Sequence, residues 1–109
     1  MIIEIRTYRL KPGVAQEFLR IMHEEALPLL RKFGLRVLAG GLTLGEGDDA
    51  YLIRAFASLE ERERQEAEFY GSDEWRDGPR ESVVSRIESY HTVVLDADFI
   101  DRSALAPRR

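Results

Sequence analysis

Apolar and polar residues alternate along Ile2-Ile3-Glu4-Ile5-Arg6-Thr7-Tyr8-Arg9-Leu10, before Lys11-Pro12-Gly13 closes the run. A period of two predicts a β-strand with Ile3, Ile5 and Thr7 on one face and Glu4, Arg6 and Tyr8 on the other. Beyond Gly13 the period lengthens to about 3.6 residues, the signature of an amphipathic helix. Its apolar stripe is Val14, Phe18, Met22, Ala26, Leu29 and Phe33, with Gln16, Glu17, Arg20, Glu24 and Arg31 opposite. Pro28 lacks the N–H that would bond the Glu24 carbonyl, which predicts a kink or a loosened turn. Gly34 is placed to end the helix in a left-handed cap.

Residues 35–44 alternate loosely, and Gly40-Gly41 predicts a bulge or bend in a second strand. Gly45 to Asp49 is a turn, and Ala50 to Ala57 a third strand, so the two form a hairpin. Ser58-Leu59-Glu60-Glu61 is a capping box that opens a helix running to Tyr70. Ser72 caps a further turn at Asp73-Glu74-Trp75, and Pro79 suits the first turn of a short helix ending at Ser85. Arg86 to Asp96 is the last strand, with Ile87, Val93 and Leu95 on one face and Tyr90, Thr92 and Val94 on the other.

The order strand, helix, strand, strand, helix, strand predicts an α+β fold of ferredoxin-like βαββαβ type. Its antiparallel sheet runs in the order 4-1-3-2 with both helices on one face. Neither face of the last strand is built for water, so a homodimer through the bare sheet face is expected. The first strand's charged side is then expected to turn toward the partner, with Ile3 and Ile5 beneath the helices.

The 109 residues fit one domain over 1–96, followed by a tail over 97–109. A net charge of −4 argues against nucleic acid or an anionic membrane as partner. No apolar run reaches the roughly 20 residues of a bilayer span. The first residues enter strand-like sequence without a signal peptide, so a cytoplasmic location is expected. The absence of cysteine excludes disulfides and thiolate chemistry, and two histidines argue against a multi-histidine metal site. No Gly-rich phosphate loop or nucleophile elbow is present, and no cofactor is called for.

The candidate chemistry rests on few residues. Arg6, beside Glu4, either fixes a carboxylate or enolate or belongs to an ion pair between sheets at the dimer interface. Arg54 is either an anion anchor or the partner of Glu4 on the adjacent strand. His23 reads as a boundary histidine. His91, on an internal strand, is a hydrogen-bonded structural group, an acid–base group or an axial haem ligand. Trp75 is an apolar lid over the core or part of a ligand cleft. The run Glu60 to Glu66 reads as a solvated helix face.

Glu4-Ile5-Arg6-Thr7-Tyr8 followed by Leu10-Lys11-Pro12-Gly13 resembles the opening of the NIPSNAP family, in the dimeric α/β-barrel superfamily. Leu27-Pro28, Ser58-Leu59-Glu60-Glu61-Arg62 and Ser72-Asp73-Glu74-Trp75 are similar too, and the chain departs from the pattern at Arg54, where an aromatic residue is commoner. The resemblance implies two ferredoxin-like units whose sheets close into a barrel across a dimer. It also implies relatives that include cofactor-free monooxygenases, haem-degrading enzymes and isomerases or lyases, with a cleft between sheet and helices. The expected function is binding or transforming a small organic molecule in such a cleft, with Arg6, Tyr8, Arg54, Trp75 and His91 as its candidate lining and His91 as the catalytic candidate. The alternatives are a non-enzymatic interaction dimer and haem binding through His91.

Overall fold

The computed structural model describes residues 1–45 and 47–107. Four strands, β1 (Ile2–Leu10), β2 (Arg36–Leu42), β3 (Asp49–Phe56) and β4 (Ile87–Asp96), form one antiparallel sheet in the order β2-β3-β1-β4. This is the expected 4-1-3-2 order of a ferredoxin-like unit. Between β1 and β2 run α1 (Ala15–Ile21), a π-helical turn (Met22–Ala26) and α2 (Leu27–Lys32). Between β3 and β4 run α3 (Leu59–Tyr70), α4 (Asp73–Arg76) and α5 (Arg80–Val84). Two 3₁₀ turns, Ala97–Phe99 and Arg102–Leu105, follow β4. The turn expected at 45–49 includes Glu46, which lies outside the described residues.

The helix ends follow local chemistry. Ser58 Oγ accepts from the Glu61 N–H at 3.1 Å and starts α3. Ser72 Oγ accepts from the Trp75 N–H at 3.2 Å and starts α4, while its own hydroxyl donates to the Phe69 carbonyl at 2.6 Å. Gly34 adopts φ +85° after α2, the expected left-handed cap.

The π turn re-phases the first helical segment. Each residue of an α-helix turns the side chains by about 100°. The π turn closes on a Leu27 N–H to Met22 carbonyl bond, one residue wider than an α turn. Pro28, just inside α2, supplies no N–H for the Glu24 carbonyl, so the ladder widens where it is already interrupted. The buried residues are therefore Phe18 and Ile21 before the turn, Met22 and Ala26 at its two ends, and Leu27 and Leu30 after it. Leu29 and Phe33, which an uninterrupted stripe would bury, are only half-buried.

The β2–β3 register shifts between Val37 and Ala39, ahead of the glycine pair expected to carry the bulge. Gly40 serves a different purpose. A Cβ there would lie 3.0 Å from Met22 Sδ and 3.4 Å from Leu27 Cδ1, so glycine admits the π turn against the sheet.

The two faces of β1 are reversed from expectation. Glu4, Tyr8 and Leu10 are buried on the helix side, and Tyr8 and Leu10 join Phe18, Leu27, Phe56, Phe69 and Trp75 in the core. Ile3 and Ile5 lie on the bare face instead. They pair there with Ala55 and Ile53 of β3 and with Leu95 and Val93 of β4. Leu95 is 44% exposed and Val93 41%. Strand alternation separates two faces but does not say which one the helices cover. Here the helices cover the charged side, because α3 brings the counter-charges for it.

Candidate functional site

Glu4 and Arg54 face each other in register across β1 and β3, and neither has any exposed side-chain surface. Arg54 donates to Glu4 through Nε at 3.0 Å and also through Nη2. Arg62, one turn into α3, donates through Nε to the second Glu4 oxygen at 2.6 Å. Glu66, one turn further, accepts from Arg54 Nη2 at 2.8 Å. Arg62 Nη2 stands 3.6 Å from Glu66. With Arg6, three guanidiniums and two carboxylates meet between the sheet and α3. The ion pair expected between sheets of a dimer is instead a network within one chain.

Arg6 is the member that opens outward. It stands 3.8 Å from both Glu4 and Glu66, too far for a hydrogen bond to either. Its Nε donates to Thr92 Oγ1 at 3.1 Å and its Nη1 to the Tyr70 hydroxyl at 3.3 Å. Arg54 Nη1 donates to the same Tyr70 oxygen at 2.9 Å. With two guanidinium donors on that oxygen, the Tyr70 hydroxyl hydrogen must find an acceptor elsewhere.

These groups floor a cleft of about 340 Å³ between α3, α4, α5 and the β1–β4 edge. Its lining is Arg6, Tyr8, Glu66, Tyr70, Trp75, Arg80, Val83, Val84, Ile87 and Tyr90. The break between α3 and α4 positions the aromatic wall: Ser72 turns the chain, and Trp75 packs edge-on to Tyr70 at 5.5 Å and tilted against Phe69 at 5.2 Å. The Arg6 guanidinium lies 5.3 Å from the Tyr90 ring and 5.9 Å from the Tyr70 ring, within cation–π range of both. Tyr90 itself is 64% exposed at the cleft mouth.

The two carboxylates respond oppositely to this setting. Burial alone would raise Glu4, but the hydrogen bond from Glu66 and the charge and hydrogen bonds of Arg54 and Arg62 hold it down at about 2. Burial pushes Glu66 up, and its hydrogen bond to Glu4 adds to this against the pull of Arg54, leaving it at about 7. Burial also raises the Tyr8 phenol well above its usual range.

Of the residues singled out by sequence, the cleft brings together Arg6, Tyr8 and Trp75. Arg54 stands behind it, paired with Glu4 and touching the cleft through Tyr70. Trp75 is at once core and cleft wall, 7% exposed. His91 is elsewhere. It opposes Thr7 on the bare face, exposed, in a shallow groove with Arg9, Asp49 and Ser89. Its register on β4 sets it on the sheet face opposite Arg6, so the two side chains do not share this cleft. His23 is exposed on the first helical segment. Among the described residues no cluster of three His, Cys, Asp or Glu side chains could hold a metal. Nor is any described helix long and apolar enough to cross a membrane.

Glu66, Arg62, Tyr70, Arg80 and Tyr90 complete the site. Arg62 and Glu66 lie inside a charged run that reads as solvated. Their signal is the spacing Arg62, Glu66, Phe69, Tyr70, which sets a charged pair on the helix face that also carries the buried Phe69.

Comparison with known proteins gives the fold its relatives. The NIPSNAP family model matches residues 3–97. An uncharacterized NIPSNAP domain protein from Burkholderia xenovorans is 24% identical with a TM-score of 0.80, over 93% of this chain and 99% of that one. A NIPSNAP family protein of unknown function from Agrobacterium tumefaciens str. C58 is 24% identical with a TM-score of 0.79, over 87% and 86%. A protein from Nitrosomonas europaea, provisionally assigned as an antibiotic biosynthesis monooxygenase, is 16% identical with a TM-score of 0.63, over 88% and 97%. Likeness at these identities is likeness of fold. No curated protein matches the chain. The match over residues 3–97, carried on a ferredoxin-like sheet in the order 4-1-3-2, makes this chain a member of the NIPSNAP family.

Proposed function

We propose that the cleft binds a small organic molecule with a flat apolar body and a carboxylate, enolate or carbonyl oxygen at one end. The observation that carries this reading is Arg6, a guanidinium with no carboxylate in hydrogen-bond range, at the floor of a cleft walled by Tyr70, Trp75 and Tyr90. Its neighbours there, Tyr70 and Arg80, also offer donors, so the polar end of the cleft asks for an acceptor. The volume suits a compact ligand. Trp75 is the only tryptophan in the chain, and its fluorescence reports occupancy directly. Phenylacetate should quench it in a saturable manner, and Arg6→Ala should weaken binding at least tenfold. Equal affinity in the two proteins would remove the reading.

A second reading concerns assembly. Ile3, Ile5, Ile53, Val93 and Leu95 form an aliphatic field on the bare sheet face, and it supports a homodimer packed face to face. Light scattering should give twice the chain mass for the natural protein and one chain mass for Ile5→Lys/Val93→Lys. A monomer in both cases would remove it. The interaction-module alternative calls for an exposed apolar patch away from the dimer face, and it leaves the cleft without a role.

A further inference from the structure

Glu66 is the one carboxyl group in the cleft lining, and the chemistry available to it follows from how the network divides its donors. Glu4 takes the strong bonds, two from Arg54 and one from Arg62 at 2.6 Å. Glu66 takes one, from an Arg54 nitrogen already bonded to Glu4, while Arg62 and Arg6 stay at 3.6 and 3.8 Å. Of two neighbouring carboxylates, the less solvated by donors is the one that carries a proton.

We propose that Glu66 is the catalytic acid–base group of this cleft, and that it moves a proton at a carbon adjacent to a carbonyl of the bound molecule. The inference rests on the reading of the cleft as a small-molecule site. A carbonyl oxygen accepting from Arg6 or from the Tyr70 hydroxyl brings its neighbouring carbon toward Glu66, because Arg6 Nη2 and Glu66 Oε1 are only 3.8 Å apart. The ionised Glu66 takes the C–H proton. The electron pair of that bond forms the C=C bond of an enolate, and the carbonyl π electrons come to rest on the oxygen between Arg6 and Tyr70. The O–H of Glu66 then returns its proton either to the same carbon, which gives hydrogen exchange, or to a conjugated carbon, which gives an isomer, and neither course consumes an oxidant. The groups that face Glu66 are Glu4 and Arg6 from β1, Arg54 from β3, Arg62 and Tyr70 from α3, and Arg80 across the cleft. A position near 7 lets Glu66 take and return a proton at neutral pH.

The test uses phenylpyruvate, an aryl 2-oxo acid with an enolisable methylene. Deuterium entry into that methylene from D₂O is followed by NMR, and binding is followed by Trp75 quenching. The natural protein should accelerate exchange, with a rate that rises with pH to a plateau above about 7. Glu66→Gln should still quench Trp75 but lose about a hundredfold of the acceleration. Glu66→Asp, which keeps the carboxyl group, should recover part of it. The proposal is overturned if Glu66→Gln exchanges within twofold of the natural protein, or if the natural protein binds phenylpyruvate without accelerating exchange. That second outcome leaves the binding cleft standing. If neither phenylpyruvate nor phenylacetate quenches Trp75, the cleft reading itself fails, and the proposal with it.

Discussion

Glu4 and Arg54 sit directly opposite each other on neighbouring strands, and each is sealed from solvent by the other and by α3. A buried pair of this kind stabilises little relative to an apolar pair, because desolvation offsets the attraction. Breaking it is another matter, since one charge is then stranded in the interior. Arg54→Leu should therefore lower the unfolding free energy by about 3–5 kcal/mol in urea denaturation. Replacing both partners, Glu4→Leu/Arg54→Leu, should restore at least half of that loss. A double variant no better than the single one would show that the pair is not the unit that matters.

Stability should depend on pH through the two carboxyl groups in opposite senses. Folded Glu66 titrates at about 7 against 4.5 for an ordinary carboxyl, so between these values the folded chain keeps a proton the unfolded chain has released. Its contribution is complete below 4.5 and is lost as pH rises through 7. Glu4, at about 2, contributes above 4.5 and loses that contribution as pH falls toward 2. At about 1.4 kcal/mol per pH unit, the Glu66 term is worth up to ~3 kcal/mol. Denaturation midpoints should fall between pH 5 and 8 in the natural protein and stay flat in Glu66→Gln. Parallel curves would contradict the assignment.

The glycines should separate strain from crowding. At Gly34 a Cβ meets nothing within 4 Å but φ is +85°, so Gly34→Ala should cost about 1 kcal/mol by backbone strain alone. At Gly40 the backbone is ordinary for a side chain, and the neighbour is the flexible Met22 thioether. Gly40→Ala combined with Met22→Ala should cost less than the sum of the two single changes, while Gly34→Ala should add independently to Met22→Ala. Thermal melts of the five variants decide it.

Tyr70→Phe removes the oxygen on which Arg6 and Arg54 converge. Two guanidinium donors then lose an acceptor, at a cost of about 1–3 kcal/mol in stability. Phenylacetate affinity, read from Trp75, should fall as well, because Arg6 then keeps only its bond to Thr92. Unchanged affinity would mean that Tyr70 only fills space.

The strand order, the Ser58 and Ser72 caps, the Gly34 terminus and the Glu4–Arg54 pair were all legible from local chemistry and element order. The direction in which β1 faces was not. Ile3 and Ile5 are the apolar choice for a core, and only the charges on α3 reverse that choice. Glu66 was hidden for the same reason. Within Glu60 to Glu66 every residue looks solvated until β3 places Arg54 beneath it. His91 illustrates the converse: an unusual residue in mid-strand attracts a functional reading, yet alternation in the edge strand β4 turns it to the face opposite the cleft.

The π turn at Met22–Ala26 has a consequence for how this chain compares with its relatives. An unbroken α-helix reaches the same packing of Leu27 and Leu30 with one residue fewer, since a single residue accounts for the whole change of phase. A relative without the widened turn should therefore align with a one-residue gap between Met22 and Pro28. Deleting a residue from the exposed stretch His23 to Glu25, together with Pro28→Ala, should be tolerated far better than the same deletion anywhere in α3.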